Sequence, residues 1–123
     1  MVLGIGCDII EVDRIKKAMA KDRFLCRYFT DREIELIKKR SVSCAHTAAG
    51  NFCAKEAVVK ALGCGFGDIA LKDVEILRNE SGAPYALLHG GGRLLFEKLG
   101  ASNLTVSISH SKGMAMAFAV VEK

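Results

Sequence analysis

The chain has 123 residues, 50% of them hydrophobic and 26% charged, with twelve glycines, one proline and no tryptophan, a size and balance that describe a single folded domain over residues 1–123 and exclude a disordered chain. No long uncharged run is present to span a membrane, and the start reaches Asp8 without a basic lead, so neither a membrane protein nor a signal peptide is expected and a cytoplasmic location is. The net charge of +4 is local: between residues 14 and 27, Arg14, Lys16, Lys17, Lys21, Arg23 and Arg27 stand against one acid, Asp22, a patch that suits an acidic partner.

Residues 2–10 read as a strand. Val2, Gly4, Gly6, Asp8 and Ile10 share one face, and Leu3, Ile5, Cys7 and Ile9 share the other. The second face is apolar throughout and is expected to be buried. The glycines on the first leave room for a close approach to the backbone. Residues 13–22 predict a short helix with Asp13 as N-cap and Ile15, Ala18 and Met19 as its apolar stripe; Arg14, Lys17 and Lys21 lie on another face. Thr30 and Glu33 have the spacing of a capping box that opens a helix to about Lys39. Residues 46–62 are the longest helical stretch, closed by Gly63 and apolar almost all round, which implies enclosure by protein. Cys64, Gly65, Phe66 and Gly67 predict a loop. Two short strands, 74–77 and 85–88, flank a turn, and Gly90, Gly91 and Gly92 precede a helix over 93–99. Residues 104–109 and 114–121 predict a hairpin. Strands and helices mix without regular alternation, so the expected class is α+β, an antiparallel sheet packed with a long buried helix.

Four charged positions interrupt apolar elements: Asp8 in the strand, and Lys55, Glu56 and Lys60 in the long helix. Asp8 sits inside an apolar strand, where an acid is costly unless paired, metal-bound or solvated. Glu56 and Lys60 are four residues apart on the long helix and are expected side by side at the edge of its buried face. One carboxylate from a strand and one from a helix suit Mg²⁺, which takes one or two carboxylates together with phosphate oxygens, and a neighbouring lysine would offset phosphate charge. His110 at the mouth of the hairpin, beside Ser109, Ser111 and Lys112, is a candidate phosphate contact. Neither glycine cluster has the strand-loop-helix setting of a phosphate loop. The five cysteines are irregularly spaced, with no C-x-x-C pair, and read as free, mostly buried thiols and not as zinc ligands. The basic segment carries no nucleic-acid-binding signature and reads better as a docking stripe for an acidic helix.

The motifs, taken together, resemble a family. Residues 4–15, Gly-Ile-Gly-Cys-Asp-Ile-Ile-Glu-Val-Asp-Arg-Ile, are similar to the N-terminal signature of the holo-[acyl-carrier-protein] synthases, small 4′-phosphopantetheinyl transferases. Phe29-Thr30-x-x-Glu33, residues 52–63 (Phe-Cys-Ala-Lys-Glu-Ala-Val-Val-Lys-Ala-Leu-Gly), Gly82-Ala83-Pro84 and Val106-Ser107-Ile108-Ser109-His110 match its other blocks in order. The resemblance implies the fold of that family and the transfer of 4′-phosphopantetheine from coenzyme A to a serine of apo acyl carrier protein, which serves fatty acid biosynthesis and releases adenosine 3′,5′-bisphosphate. It implies Mg²⁺, with Mn²⁺ as an alternative, held by Asp8 and Glu56, with Lys60 as the third catalytic residue. Coenzyme A would contact Asp8, Glu56, Lys60, Gly63, Pro84, Ser109 and His110, and the carrier protein would dock on Arg14, Lys17, Lys21, Arg23 and Arg27. It implies a homotrimer with active sites at subunit interfaces and no nucleic-acid partner. Whether the serine proton passes to a water or to a carboxylate stays open. Two positions depart from the family pattern: Asn51, where arginine is frequent, implies that one phosphate contact is weaker or supplied elsewhere, and Cys53, commonly alanine, implies no change.

Overall fold

The structure, a computed structural model, describes residues 1–40, 42–63 and 69–123. The expected loop at Cys64, Gly65, Phe66 and Gly67 lies outside the described residues. In chain order the elements are β1 (Val2–Glu11), α1 (Val12–Met19), α2 (Phe24–Tyr28), α3 (Asp31–Lys39), α4 (Cys44–Ala61), a 3₁₀ turn (Leu71–Asp73), β2 (Val74–Arg78), β3 (Pro84–Leu88), α5 (Gly90–Lys98), β4 (Asn103–Ser111) and β5 (Met114–Glu122). β1, β5 and β4 form an antiparallel sheet in that order, and β2 and β3 form a separate antiparallel pair. The expected α+β class, antiparallel sheet and long helix are what the chain adopts.

Helix α4 lies across the three-stranded sheet, and small residues set the separation. The central strand β5 turns Ala115, Ala117, Ala119 and Val121 inward, all buried, against Ala54, Ala57 and Ala61 of the helix, also buried. On β1 the approach is closer still. A β-carbon on Gly4 would stand 1.9 Å from the Ala61 carbonyl oxygen, and one on Gly6 would stand 2.0 Å from that of Ala57. Only hydrogen at those positions lets the strand lie on the helix backbone. The close approach anticipated at the glycine face is therefore made by the chain's own helix.

This packing corrects one expectation. The Leu3, Ile5, Cys7 and Ile9 face is not the buried one: Ile5 is 72% exposed and Ile9 is 59% exposed. Strand register extends this outer face across the sheet, where Ile5, Cys7 and Ile9 pair with Val120, Phe118 and Met116 of β5, and these with Thr105, Ser107 and Ser109 of β4. Apolar alternation told the two faces apart, but both are apolar or small, and backbone proximity decided which one the helix covers.

Smaller differences follow from local chemistry. α1 begins one residue early, with Glu11 at its N-cap position and no side-chain cap, and it ends at Met19. The chain then makes the short α2, whose Phe24 and Tyr28 join Phe29 and Phe52 in an aromatic cluster of edge-to-face, stacked and tilted contacts. The capping box at α3 is present as expected, Thr30 accepting from the Glu33 N–H and Glu33 accepting from the Thr30 N–H. α4 ends at Ala61 with Leu62 as C-cap, and Gly63 follows in the left-handed region with φ +78°. Among the four described cysteines only Cys53 is buried, and Cys7 and Cys26 are exposed.

Lys55 holds the far side of α4 in place. Its side chain is wholly buried, and Nζ donates to Glu33 Oε1 at 2.6 Å and to the Leu71 and Val74 carbonyls at 3.0 and 2.6 Å. Glu33, also wholly buried, accepts in addition from Asn51 Nδ2 and the Ile76 N–H. Burial pushes Glu33 up and Lys55 down, and each is drawn back by the other's charge. The cluster ties α3, α4 and β2 together, so the helix is fixed by polar contacts on one side and by alanine and glycine packing on the other.

Candidate active site

Asp8 extends from β1 on the helix-facing side, one strand position beyond the glycines, in register with Ala117 of β5. The close strand–helix approach brings it to the C-terminal half of α4. Lys60 Nζ donates to Asp8 Oδ1 at 3.2 Å and to the Cys7 carbonyl at 3.0 Å. Lys60 thus pairs across to the strand. Asp8 Oδ2 is buried and has no donor among the described residues. Glu56 lies against that carboxylate, and its own carboxyl is pushed up to about 8, first by burial and then by the adjacent Asp8 carboxylate, with Lys60 and Arg14 opposing.

Two carboxyl groups facing each other beneath a partly apolar wall require a shared proton or a cation between them. The donor set is all oxygen, which fits a hard divalent ion, and the orphaned Asp8 Oδ2 supplies a free ligand atom. No cluster of three or more acidic, histidine or cysteine ligands occurs among the described residues, so phosphate and water oxygens would have to complete the coordination of such an ion. Cys53 lies below the pair, and burial first, then the charge of Asp8, pushes its thiol up to about 12. It stays a neutral thiol that donates to the Ala115 carbonyl and offers no thiolate.

The carboxylates open into a cleft of about 370 Å³ lined by Asp8, Arg14, Phe24, Phe52 and Glu56 with apolar neighbours from β1 and α1. Arg14 therefore belongs to the cleft as well as to the basic stripe. Lys17, Lys21, Arg23 and Arg27 continue the stripe over α1 and α2, all exposed.

A second cleft, about 300 Å³, lies toward the start of α4 and is lined by Arg40, Ser43, His46, Thr47, Arg78, Gly82, Pro84, Ile108 and His110. It unites Pro84 and His110, which the sequence had singled out, with Arg40, Arg78, His46 and Thr47, which it had not. Arg78 is part-buried, and burial first and then the neighbouring Arg40 lower its pKa, with the charge of Glu33 opposing. Ser109 is elsewhere, on the outer sheet face with Ile9 and Met116, and Gly63 lines neither cleft. Asn51 is not at a phosphate-binding surface at all: it is wholly buried and donates to Glu33 and to the Ile76 carbonyl. Its effect is on the core, which corrects the expectation of a weakened phosphate contact there.

A family model described as the 4′-phosphopantetheinyl transferase superfamily matches residues 4–119. The chain belongs to that family. It is 48% identical over 123 residues to the holo-[acyl-carrier-protein] synthase of Clostridium botulinum, covering 99% of this chain and 98% of the relative. It is 45% identical over 127 residues to that of Clostridium perfringens, covering 99% and 95%. Among solved structures, the holo-[acyl-carrier-protein] synthase of Neisseria meningitidis superposes over 100% of both chains with a TM-score of 0.90 at 28% identity. That of Helicobacter pylori in complex with coenzyme A covers 96% of this chain and 99% of its own, with a TM-score of 0.83 at 34% identity. The chain is thus an enzyme of the phosphopantetheinyl transferase family, of the holo-[acyl-carrier-protein] synthase kind, and its fold is that of its structural neighbours.

Proposed function

We propose that the Asp8, Glu56 and Lys60 cluster is where the 4′-phosphopantetheine arm of coenzyme A passes to a serine hydroxyl of apo acyl carrier protein, in support of fatty acid biosynthesis. The observation that carries this is the buried, unpartnered Asp8 Oδ2 facing Glu56, with Lys60 alongside. The serine oxygen forms a bond to the phosphorus that bears the pantetheine arm. The bond from that phosphorus to the oxygen of the adenosine 3′,5′-bisphosphate leaving group breaks, and the serine proton passes to a water or to a carboxylate. Asp8 and Glu56 would hold Mg²⁺ or Mn²⁺, which would supply charge neutralisation to the pyrophosphate. Lys60, anchored by Asp8 and the Cys7 carbonyl, directs its ammonium to the same oxygens and offsets charge gathering on the leaving group.

The cleft of Arg40, Arg78, Pro84 and His110 takes the nucleotide end, its two neighbouring guanidinium groups suiting the 3′-phosphate. The basic stripe from Arg14 through Lys17, Lys21, Arg23 and Arg27 takes the acidic surface of the carrier protein, and because Arg14 also lines the carboxylate cleft, docking brings the serine to the reacting centre. Thr47 and Glu56 are about 13 Å apart along α4, from the rise per residue, so the two clefts are separate depressions on one chain. This separation, with the apolar outer sheet face, supports a homotrimer in which a coenzyme A bound at a subunit boundary uses the carboxylates, with Gly63, of one chain and the nucleotide cleft, with Ser109, of another. We place this enzyme in the cytoplasm; among the described residues no helix is long and apolar enough to cross a membrane.

Mass spectrometry of an apo carrier protein incubated with coenzyme A, Mg²⁺ and this protein tests the assignment. A gain of one phosphopantetheine that EDTA abolishes and added Mg²⁺ restores is expected. Transfer at full rate with metal removed would overturn the carboxylate assignment, and no transfer under any condition would overturn the activity.

A further inference from the structure

Helix α4 contains one glycine, Gly50, in its buried middle turns, where alanine would favour the helix. Its φ is not in the left-handed region, so the backbone does not demand glycine there. The demand comes from across the interface. A β-carbon at Gly50 would lie 3.0 Å from Ile108 Cγ2 and 3.2 Å from both Cε1 and Nε2 of His110, tighter than ordinary van der Waals contact.

Through the space left by the missing side chain, His110 Nε2 reaches the His46 carbonyl at 2.8 Å. That carbonyl lies one turn before Gly50 and is the helical acceptor of its N–H, so any side chain at position 50 stands beside the point the imidazole must reach. A carbonyl oxygen only accepts, so Nε2 carries the hydrogen and Nδ1 is left without a partner among the described residues. His110 is otherwise exposed at the end of β4, touching the His46 ring at a centroid distance of 6.0 Å. Its ring orientation rests on this seat.

We propose that Gly50 is a positioning residue for coenzyme A: a notch in α4 that seats the His110 imidazole, fixes Nε2 on the His46 carbonyl and turns Nδ1 to the nucleotide end of the substrate. This rests on the reading of His110 as a coenzyme A contact given above. An alanine at position 50 removes the notch, pushes the ring off the carbonyl and weakens coenzyme A binding, while the carboxylate cleft further along the helix is untouched.

The test is steady-state kinetics on Gly50→Ala, His110→Ala and the double variant, each first checked by thermal melting. Gly50→Ala is expected to raise KM for coenzyme A about tenfold, the loss of one substrate hydrogen bond, with kcat and KM for the carrier protein within about twofold of wild type. In the His110→Ala background the same substitution is expected to leave KM unchanged, because the group it displaces is gone. The new methyl also presses on Ile108, so the comparison is repeated on Ile108→Ala, which keeps it decisive should Gly50→Ala alone not fold. A folded Gly50→Ala variant with wild-type KM for coenzyme A would overturn the proposal, as would an equal rise in KM when His110 is absent. If His110→Ala itself leaves KM unchanged, the assignment of His110 to coenzyme A fails instead.

Discussion

Glu56 is the residue whose chemistry most depends on its neighbours. Its carboxyl is raised to about 8 by burial and by Asp8, against an ordinary value of 4.5. With the folded value above the unfolded one, its contribution to stability is fully present below about 4.5 and is lost as pH rises through about 8. In EDTA, the melting temperature of wild type is expected to fall over that window relative to Glu56→Gln, whose amide does not titrate; parallel pH profiles would contradict the assignment. Glu75 shows the opposite sign. Burial opposes its ionisation, but hydrogen bonds from Arg32, Thr30 and His89 outweigh that and hold its carboxyl at about 2. Its stabilisation is present above 4.5 and lost as pH falls toward 2. The buried pair of Glu33 and Lys55 is structural, and Lys55→Met, which strands Glu33, is expected to cost about 3–5 kcal/mol in urea unfolding. Replacing both by apolar residues of similar volume should cost clearly less.

Between elements, the decisive contact is β1 on α4. Gly4 and Gly6 let the strand rest on the carbonyls of Ala61 and Ala57, and the same approach delivers Asp8 to Glu56 and Lys60. Gly6→Ala is expected to destabilise the chain by about 3 kcal/mol or more and to abolish transfer in whatever fraction remains folded. A well-folded, fully active Gly6→Ala variant would show that the carboxylates do not need this spacing. Asp8, Glu56 and Lys60 were legible in the sequence because each interrupts an apolar stretch, and a charge there needs a reason. Lys55 carried the same signal, flanked at helical spacing by Asn51, Phe52, Val58 and Val59, but its partner Glu33 lies on another helix and looked fully accounted for by its capping box. Arg40 and Arg78 were not legible: one follows a helix, the other ends a strand, and neither breaks a pattern. The exchanged faces of β1 have the same origin, since hydropathy ranks side chains by polarity and cannot register that a hydrogen-only face admits a helix more closely than isoleucines do.

For the whole molecule, the unfinished part is the outer sheet face. Ile5, Ile9 and Phe118 are 72%, 59% and 49% exposed on adjacent strands, a contiguous apolar surface of the kind soluble chains cover. The proposed homotrimer covers it. Light scattering is expected to give a mass of three chains for wild type and of one for Phe118→Glu, which places a charge in the middle of that face. The monomer should lose transfer activity with Asp8, Glu56 and Lys60 intact, because the second cleft would no longer be supplied by a neighbour. A wild-type monomer with full activity would contradict both the assembly and the shared site.

The central claim is that the part-buried Asp8 carboxylate, brought to α4 by glycine packing, holds the reacting pyrophosphate together with Glu56 and Lys60. The most direct measurement is the transfer rate of Asp8→Asn, followed by mass spectrometry of the carrier protein at saturating coenzyme A and Mg²⁺ and at matched thermal stability. A loss of at least about a hundredfold is expected, as for removal of one group that stabilises transition-state charge. Transfer by a folded Asp8→Asn variant at the wild-type rate would contradict it.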